Sequence, residues 1–331
     1  MRRTFWRWAR PGVAAAILGV LVWRVGTGPF LDGVRMVDRQ SLAAAVAITG
    51  LTTVCCAWRW RLVARGLGAG VPLRAAVSAY YRSQFLNTTL PGGVLGDVER
   101  AVRHGRDVGD TGLGVRAVVW ERLAGQVVQI ALAMTVLLLL PSPVRPSVPV
   151  VATVVVAGAA AWLGAVLLSR AVPRLGTSLP ARTLVLVSAD LRGGLLARRA
   201  WPGIAVASTV AVAGHAAIFL IAARAAGSVA SPARLLPLAL LVLLAMGLPT
   251  NIAGWGPREG VSAWAFGVAG LGADQGVATA VVYGVMVLVA SLPGAVVLMA
   301  GRLKRGVRGP VRAVPAGVLS GAPSVEGATH G

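Results

Sequence analysis

Apolar residues run through this chain in long blocks, separated by short stretches rich in arginine, glycine and proline. The blocks are PGVAAAILGVLVW (11–23), SLAAAVAITGLTTVCCAW (41–58), VVQIALAMTVLLLL (127–140) and SVPVVATVVVAGAAAWLGAVLL (147–168). WPGIAVASTVAVAGHAAIFLIAA (201–223), LLPLALLVLLAMGLP (235–249) and GVATAVVYGVMVLVASLPGAVVLMA (276–300) follow. A bilayer core is crossed by about 17–25 residues of helix, a length several blocks reach. The shorter ones extend through flanking Trp and Arg, whose stems lie along apolar surface. The pattern predicts an all-α, polytopic membrane helical bundle of about six to eight spans.

Two stretches interrupt it, LNTTLPGGVLGDVER (86–100) and GLPTNIAGWGPREG (247–260). Both break an apolar run with Leu-Pro, loosen it with glycines, and then set an acid beside an arginine. Irregular backbone at membrane depth survives only where protein or a wet cavity satisfies it, so both must face inward. They are expected to be re-entrant broken helices entering from opposite faces, an inverted pair of the kind that frames transporter sites. Pro91, Gly92, Gly93, Gly96, Pro249, Gly254, Gly256 and Pro257 would form the breaks. Each break also looks like a helix start, with Asp97 as a cap in one, and Pro257 first and Glu259 in the first turn of the other. Helix starts favour anions, and Arg100 and Arg258 could add bidentate contacts to phosphate. Alternatively each acid pairs with its arginine and pins the hairpin; both roles stay open.

A third feature is VVWERLAGQVVQI (118–130), where Arg122, Gln126 and Gln129 share one helical face with Glu121 beside them. A juxtamembrane position would explain Glu121 and Arg122, but the deeper glutamines favour a polar inner face. The candidate substrate-binding residues are Asn87, Asp97, Arg100, Glu121, Arg122, Arg258 and Glu259. His215, alone in an apolar span, is expected to be a packing residue.

Composition sharpens this picture. The chain is 56% hydrophobic and only 13% charged, with a formal net charge of +21. In a membrane protein such an excess marks the cytoplasmic loops, so nucleic acid is not expected as a partner. Arg2, Arg3, Arg7 and Arg10 place the N-terminus in the cytoplasm, the first span staying uncleaved. Arg59, Arg61, Arg65 and Arg74 mark a second inner loop, and the basic segment 170–200 a third. GRLKRGVR at the end of the last span places the C-terminus inside too. Residues 100–116 are also basic, and only a hairpin at 75–97 keeps them on the same side. Residues 1–305 are expected to form a single integral membrane domain, and 306–331 a disordered cytoplasmic tail. Cys55 and Cys56 lack metal-ligand spacing. No Walker A motif, dinucleotide fingerprint or nucleophile elbow occurs, so no cofactor, metal or catalytic residue is expected.

The stretches NTTLPGGVLGDVER, ERLAG (121–125) and GWGPREG, in this order and separation, resemble the lysylphosphatidylglycerol synthase transmembrane (flippase-like) family, the membrane part of the multiple peptide resistance factors. The likeness spans roughly residues 10–300. It implies a cell-membrane domain that moves a lipid between leaflets, with Asn87, Pro91, Gly92, Asp97, Arg100, Glu121, Arg122, Gly256, Arg258 and Glu259 as matching motif residues. Its implied partners are membrane lipids and a separate lipid-modifying enzyme or glycosyltransferase. Leu95 stands where the family tends to have a second glycine before Gly96-Asp97. Only a short tail follows the last span, so the aminoacyl-transferase domain of bifunctional members, and lysyl transfer with it, is not expected. The competing reading is a non-transporting accessory protein of lipid or envelope glycolipid synthesis.

Overall fold

The computed structural model describes residues 35, 37–90, 93–142, 153, 190, 200–247 and 257–307, and those in regular structure are helical. The expected spans at 11–23 and 147–168, the basic segment at 170–199, the tail from 308, and Pro91, Gly92, Pro249, Gly254 and Gly256 lie outside them.

Four helices make a first unit: α1 (Arg39–Gly66), α2 (Leu73–Thr89), α3 (Leu95–Val108) and α4 (Thr111–Leu139). Four more make a second: α5 (Trp201–Ala225), α6 (Pro232–Met246), α7 (Pro257–Val268) and α8 (Ala273–Ser291). The chain then continues into α9 (Pro293–Val307). Helices α1, α4, α5 and the run Ala273–Ala300 are each long and apolar enough to cross a membrane, while α6 is apolar but shorter. Local chemistry sets the boundaries. The Asp38 carboxylate accepts the Ser41 N–H at 2.5 Å and caps α1, and this bond holds its pKa below the ordinary value. Asp110 caps α4 through the Leu113 N–H at 3.0 Å. Pro257 opens α7 with Glu259 in its first turn, as expected. Asp97 does not cap α3. That helix starts at Leu95 after Val94, which places Asp97 inside the first turn with its carboxylate turned to side chains instead.

The two units pack in the same way. Exchange α1 with α5, α2 with α6, α3 with α7 and α4 with α8, and every packed pair among these eight helices falls on another packed pair. The α1–α5 pair maps onto itself and is antiparallel. Gly203 near the start of α5 meets Trp58 and Leu62 late in α1, whereas Gly214 meets Ile48 and Thr52. An operator that swaps two antiparallel helices reverses chain direction, which is the inverted-topology repeat of many transporters.

Each unit contains one hairpin, and each hairpin opens toward one end of the bundle. In the first, Arg82 of α2 reaches Glu99 of α3 at 2.9 Å, and the Asn87 side-chain Oδ1 accepts the Gly96 N–H at 2.8 Å. The connection passes through Gly93 at φ 62°, a left-handed conformation that glycine adopts freely. In the second, Arg234 at the start of α6 donates to the Ala269 carbonyl just past α7 at 2.9 Å, holding the open ends together. Gln275 at the start of α8 donates to the Ala226 carbonyl after α5 at 2.8 Å, at the same end.

Small residues permit the tight joints. At Gly114, near the start of α4, a Cβ would collide with the Ala101 carbonyl and the Gly105 backbone of α3. Gly276, near the start of α8, faces the Ser262 carbonyl of α7 in the same way. The unit cores differ in character. Around α1–α4 the buried apolar residues are mostly small, such as Ala57, Ala64, Ala76, Ala101 and Ala117. Around α5–α8 they are large, and Phe219 packs against Phe266 and Tyr283 with centroids 6.3 and 5.8 Å apart. Gly114→Val is expected to destabilise the detergent-purified protein by about 1–3 kcal/mol through overpacking of the α3–α4 joint, read as a lowered thermal midpoint.

Candidate functional site

Glu121 sits at the eleventh position of α4 and is completely buried. A bare carboxylate could not remain there without partners. Its Oε1 accepts Arg59 Nε at 2.9 Å, Arg59 Nη2 as well, and the Tyr80 hydroxyl at 3.0 Å. Its Oε2 accepts Arg100 Nη2 at 2.9 Å. One carboxylate therefore joins α1, α2, α3 and α4. Arg59 also donates Nη1 to Ser208 Oγ at 3.0 Å, which ties the first unit to α5.

Arg59 was expected in an inner loop. Helix α1 instead continues to Gly66 and leaves Arg59 5% exposed. Seven residues from the end of α1 and ten from the start of α4, the pair lies about 10–15 Å in from the helix ends at 1.5 Å per residue. Gly125, one turn beyond Glu121, makes room for it: a Cβ there would lie 2.8 Å from Arg59 Nη1.

Asp97 is the second anionic centre. Oδ1 accepts Arg100 Nη2 at 2.9 Å and Ser83 Oγ at 2.9 Å. Oδ2 accepts Asn87 Nδ2 at 3.1 Å and also forms an ion pair with Arg122. Arg100 thus bridges both carboxylates, and its guanidinium lies over the Tyr80 and Trp60 rings at 4.4 and 4.8 Å. Such stacking suits the weakly hydrated face of a guanidinium. Five of the predicted residues, Asn87, Asp97, Arg100, Glu121 and Arg122, belong to this one network.

Arg258 and Glu259 belong to the second unit. They pair with each other at 2.5 Å at the start of α7, and Arg258 lies 5.8 Å from the Tyr283 ring centroid. Gly284 leaves the space for this guanidinium, since a Cβ there would meet Arg258 Nη1 at 2.6 Å. Each unit thus buries an arginine against a glycine of its last helix. Tyr283 is the eleventh residue of α8, as Glu121 is of α4. Its hydroxyl lies 3.1 Å from His215 Nδ1, so the histidine is satisfied within the packing, as expected.

Between the units lies a cavity of about 220 Å³. The first unit contributes Arg59, Gln84, Arg122, Gln126 and Gln129 to its wall, and the second His215, Met246, Gly247 and Tyr283. The glutamines predicted to line an inner face do so. Of the seven predicted contact residues, Arg122 is the one in this wall among the described residues, and its side chain is 45% exposed. Asn87, Asp97, Arg100 and Glu121 sit behind it and hold one another. Gln84, Tyr283 and Arg59 were missed. Arg59 stands in the arginine-rich RWRLVARG, which hides its inward position, and nothing in the local pattern marks Gln84 or Tyr283.

Removing Glu121 would leave Arg59 and Arg100 buried without their shared anion. Glu121→Ala is expected to destabilise the protein by about 3–5 kcal/mol, the range for breaking a buried ion pair from one side. Tyr80→Phe, which deletes one hydrogen bond to the same carboxylate, is expected to cost about 1.5–3 kcal/mol. Thermal unfolding of the purified variants checks both and their order.

No curated protein matches the chain. Residues 7–294 match the family described as the lysylphosphatidylglycerol synthase TM region. The match takes in both units and the cavity between them, and the chain is a membrane protein belonging to the lysylphosphatidylglycerol synthase TM region family.

Proposed function

We propose that this protein binds the headgroup of an anionic or zwitterionic lipid in the cavity between the two units and carries the lipid between leaflets. The observation that carries this reading is the position of the cavity. It lies where two inverted units meet, with Arg122 in its wall, the arrangement in which transporters hold cargo. At about 220 Å³ it is smaller than the roughly 300–1,000 Å³ of sites that enclose a whole drug-sized ligand. It suits a headgroup whose acyl chains remain in the bilayer.

The fold supports exchange between two access states. Because the units are inverted copies, swapping their conformations would present the same cavity to the opposite leaflet. The end that collects Arg61, Arg65, Arg74, Arg103, Arg106 and Arg116 is read as cytoplasmic and the end with Arg224 and Arg234 as external. Movement is downhill or ion-coupled. The carboxylates near the cavity are each committed to arginines, which favours transport over acid–base chemistry.

Vesicles containing the purified protein and fluorescent phospholipids test this. Faster leaflet exchange than in empty vesicles is expected, with Arg122→Ala slowing it about tenfold or more through loss of a charge-assisted contact worth about 1.5–3 kcal/mol. Unchanged exchange across anionic and zwitterionic lipids would overturn the reading, and bound lipid without exchange would favour the accessory role.

A further inference from the structure

Among the described residues, the cavity wall holds one group whose charge changes readily near neutral pH. Its arginines stay cationic, and tyrosine and cysteine side chains ordinarily titrate higher. Asp97 and Glu121 stand behind the wall, each paired with arginines. His215 of α5 remains, and an imidazole gains or loses its charge between about pH 5 and 8.

The bond that satisfies His215 in the packing does not fix its charge. Nδ1 lies 3.1 Å from the Tyr283 hydroxyl, which donates to a neutral ring and turns to accept from a protonated one. Nε2 has no hydrogen-bond partner among the described residues. Every helix packed on α5 decides what else the ring faces. Helix α1 brings Arg59 and Cys56, α4 brings Arg122, α8 brings Tyr283, and α6 brings no ionisable group to the wall. Tyr80 of α2 lines the same wall. Farther back, Arg258 lies against the Tyr283 ring and pairs with Glu259. On α5 itself Arg224 donates to the Ser228 carbonyl, more than two turns beyond His215.

The empty cavity therefore sets the imidazole among guanidiniums, where a further cation is opposed by like charge. An anion in the cavity reverses that field. It offsets Arg122 and offers Nε2–H an acceptor. Proton and anion then favour each other's binding, a coupling that is reciprocal by necessity. A phosphodiester carries one negative charge, so with one proton it crosses the membrane as a neutral pair.

Building on the headgroup reading of this cavity, we propose that it takes up one proton on His215 with each anionic headgroup, so that a pH difference across the membrane drives the lipid. The proton leaves solvent on the side where the headgroup enters and bonds to the ring nitrogen. It returns to solvent on the far side once the headgroup departs and the guanidiniums face the ring again.

Two measurements test this on the full chain. In detergent, the purified protein is titrated calorimetrically with dihexanoyl phosphatidylglycerol in buffers of differing ionisation heat. Uptake of about one proton per bound lipid is expected, with the dissociation constant rising up to about tenfold per pH unit as the ring deprotonates. His215→Gln is expected to bind with no proton uptake. The chain has three histidines, and their ring NMR reports the same step without that variant. One imidazole, the one that persists in both His104→Gln and His330→Gln, is expected to take the protonated shift when lipid binds. In vesicles, an outside one pH unit more acidic is expected to speed inward movement of fluorescent phosphatidylglycerol by up to about tenfold, while an imposed voltage leaves it unchanged. Binding and exchange that ignore pH overturn the proposal and leave the headgroup site standing. Proton uptake undiminished in His215→Gln, or a shift in another histidine, overturns the assignment to His215. Neither binding nor exchange overturns both readings.

Discussion

Everything around the cavity depends on keeping one carboxylate ionised where water does not reach. Glu121 has no exposure at all, and its two oxygens accept from two arginines and a tyrosine on three other helices. In a low-dielectric interior a bare charge is prohibitive, whereas a fully bonded one is a rigid junction. That junction fixes α1 to α4 at a common depth and makes Arg100 the link to Asp97. Asp97 in turn fixes Arg122 at the cavity wall. The exposed arginine is therefore aimed by Asp97, which stands behind the cavity wall, and preorganised aim is what turns a flexible side chain into a selective contact.

The same architecture is built twice with different materials. In the first unit small alanines bring helices close and ion pairs hold them. In the second, Phe219, Phe266, Tyr283 and Met286 fill the equivalent space. Tyr283 occupies the eleventh position of α8, the place of Glu121 in α4. An apolar interface resists sliding less than a junction of directional bonds.

Much of this was legible in the residues. Apolar block length marked α1, α4, α5 and the run from Ala273, because a bilayer constrains length more strongly than a soluble core does. The clash between basic residues 100–116 and a full crossing marked the first hairpin, and Leu-Pro with nearby glycines marked both breaks. Gln126 and Gln129 announced a polar face through spacing alone. Arg59 was misplaced because it stands in RWRLVARG, where a cluster of arginines looks like a loop. Only its distant partner, 62 residues away, reveals that the helix carries it inward. Asp97 was assigned to the backbone because Asp is a good cap. The helix begins two residues earlier, which turns the carboxylate to Ser83 and Asn87 instead. Tyr283 gave no warning, since an aromatic in an apolar helix looks the same whether it packs or lines a site. The repeat itself was visible as two similar breaks, but its true unit of four helices emerges only from which helices touch.

The separation between Arg59 and Glu121 also bears on biogenesis. A chain made from its N-terminus delivers Arg59 to the membrane 62 residues before its partner exists. A lone arginine at the centre of an inserting helix is opposed by about 2.5–3.5 kcal/mol, and one nearer the end, as Arg59 is, by less; α1 meets this with its own apolar residues. Its 28-residue length supplies them and lets the guanidinium reach back to the headgroups while it waits. The buried network is thus a late event in assembly, closed when α4 arrives. Damage to α4 would then leave α1 inserted but with an unpartnered charge.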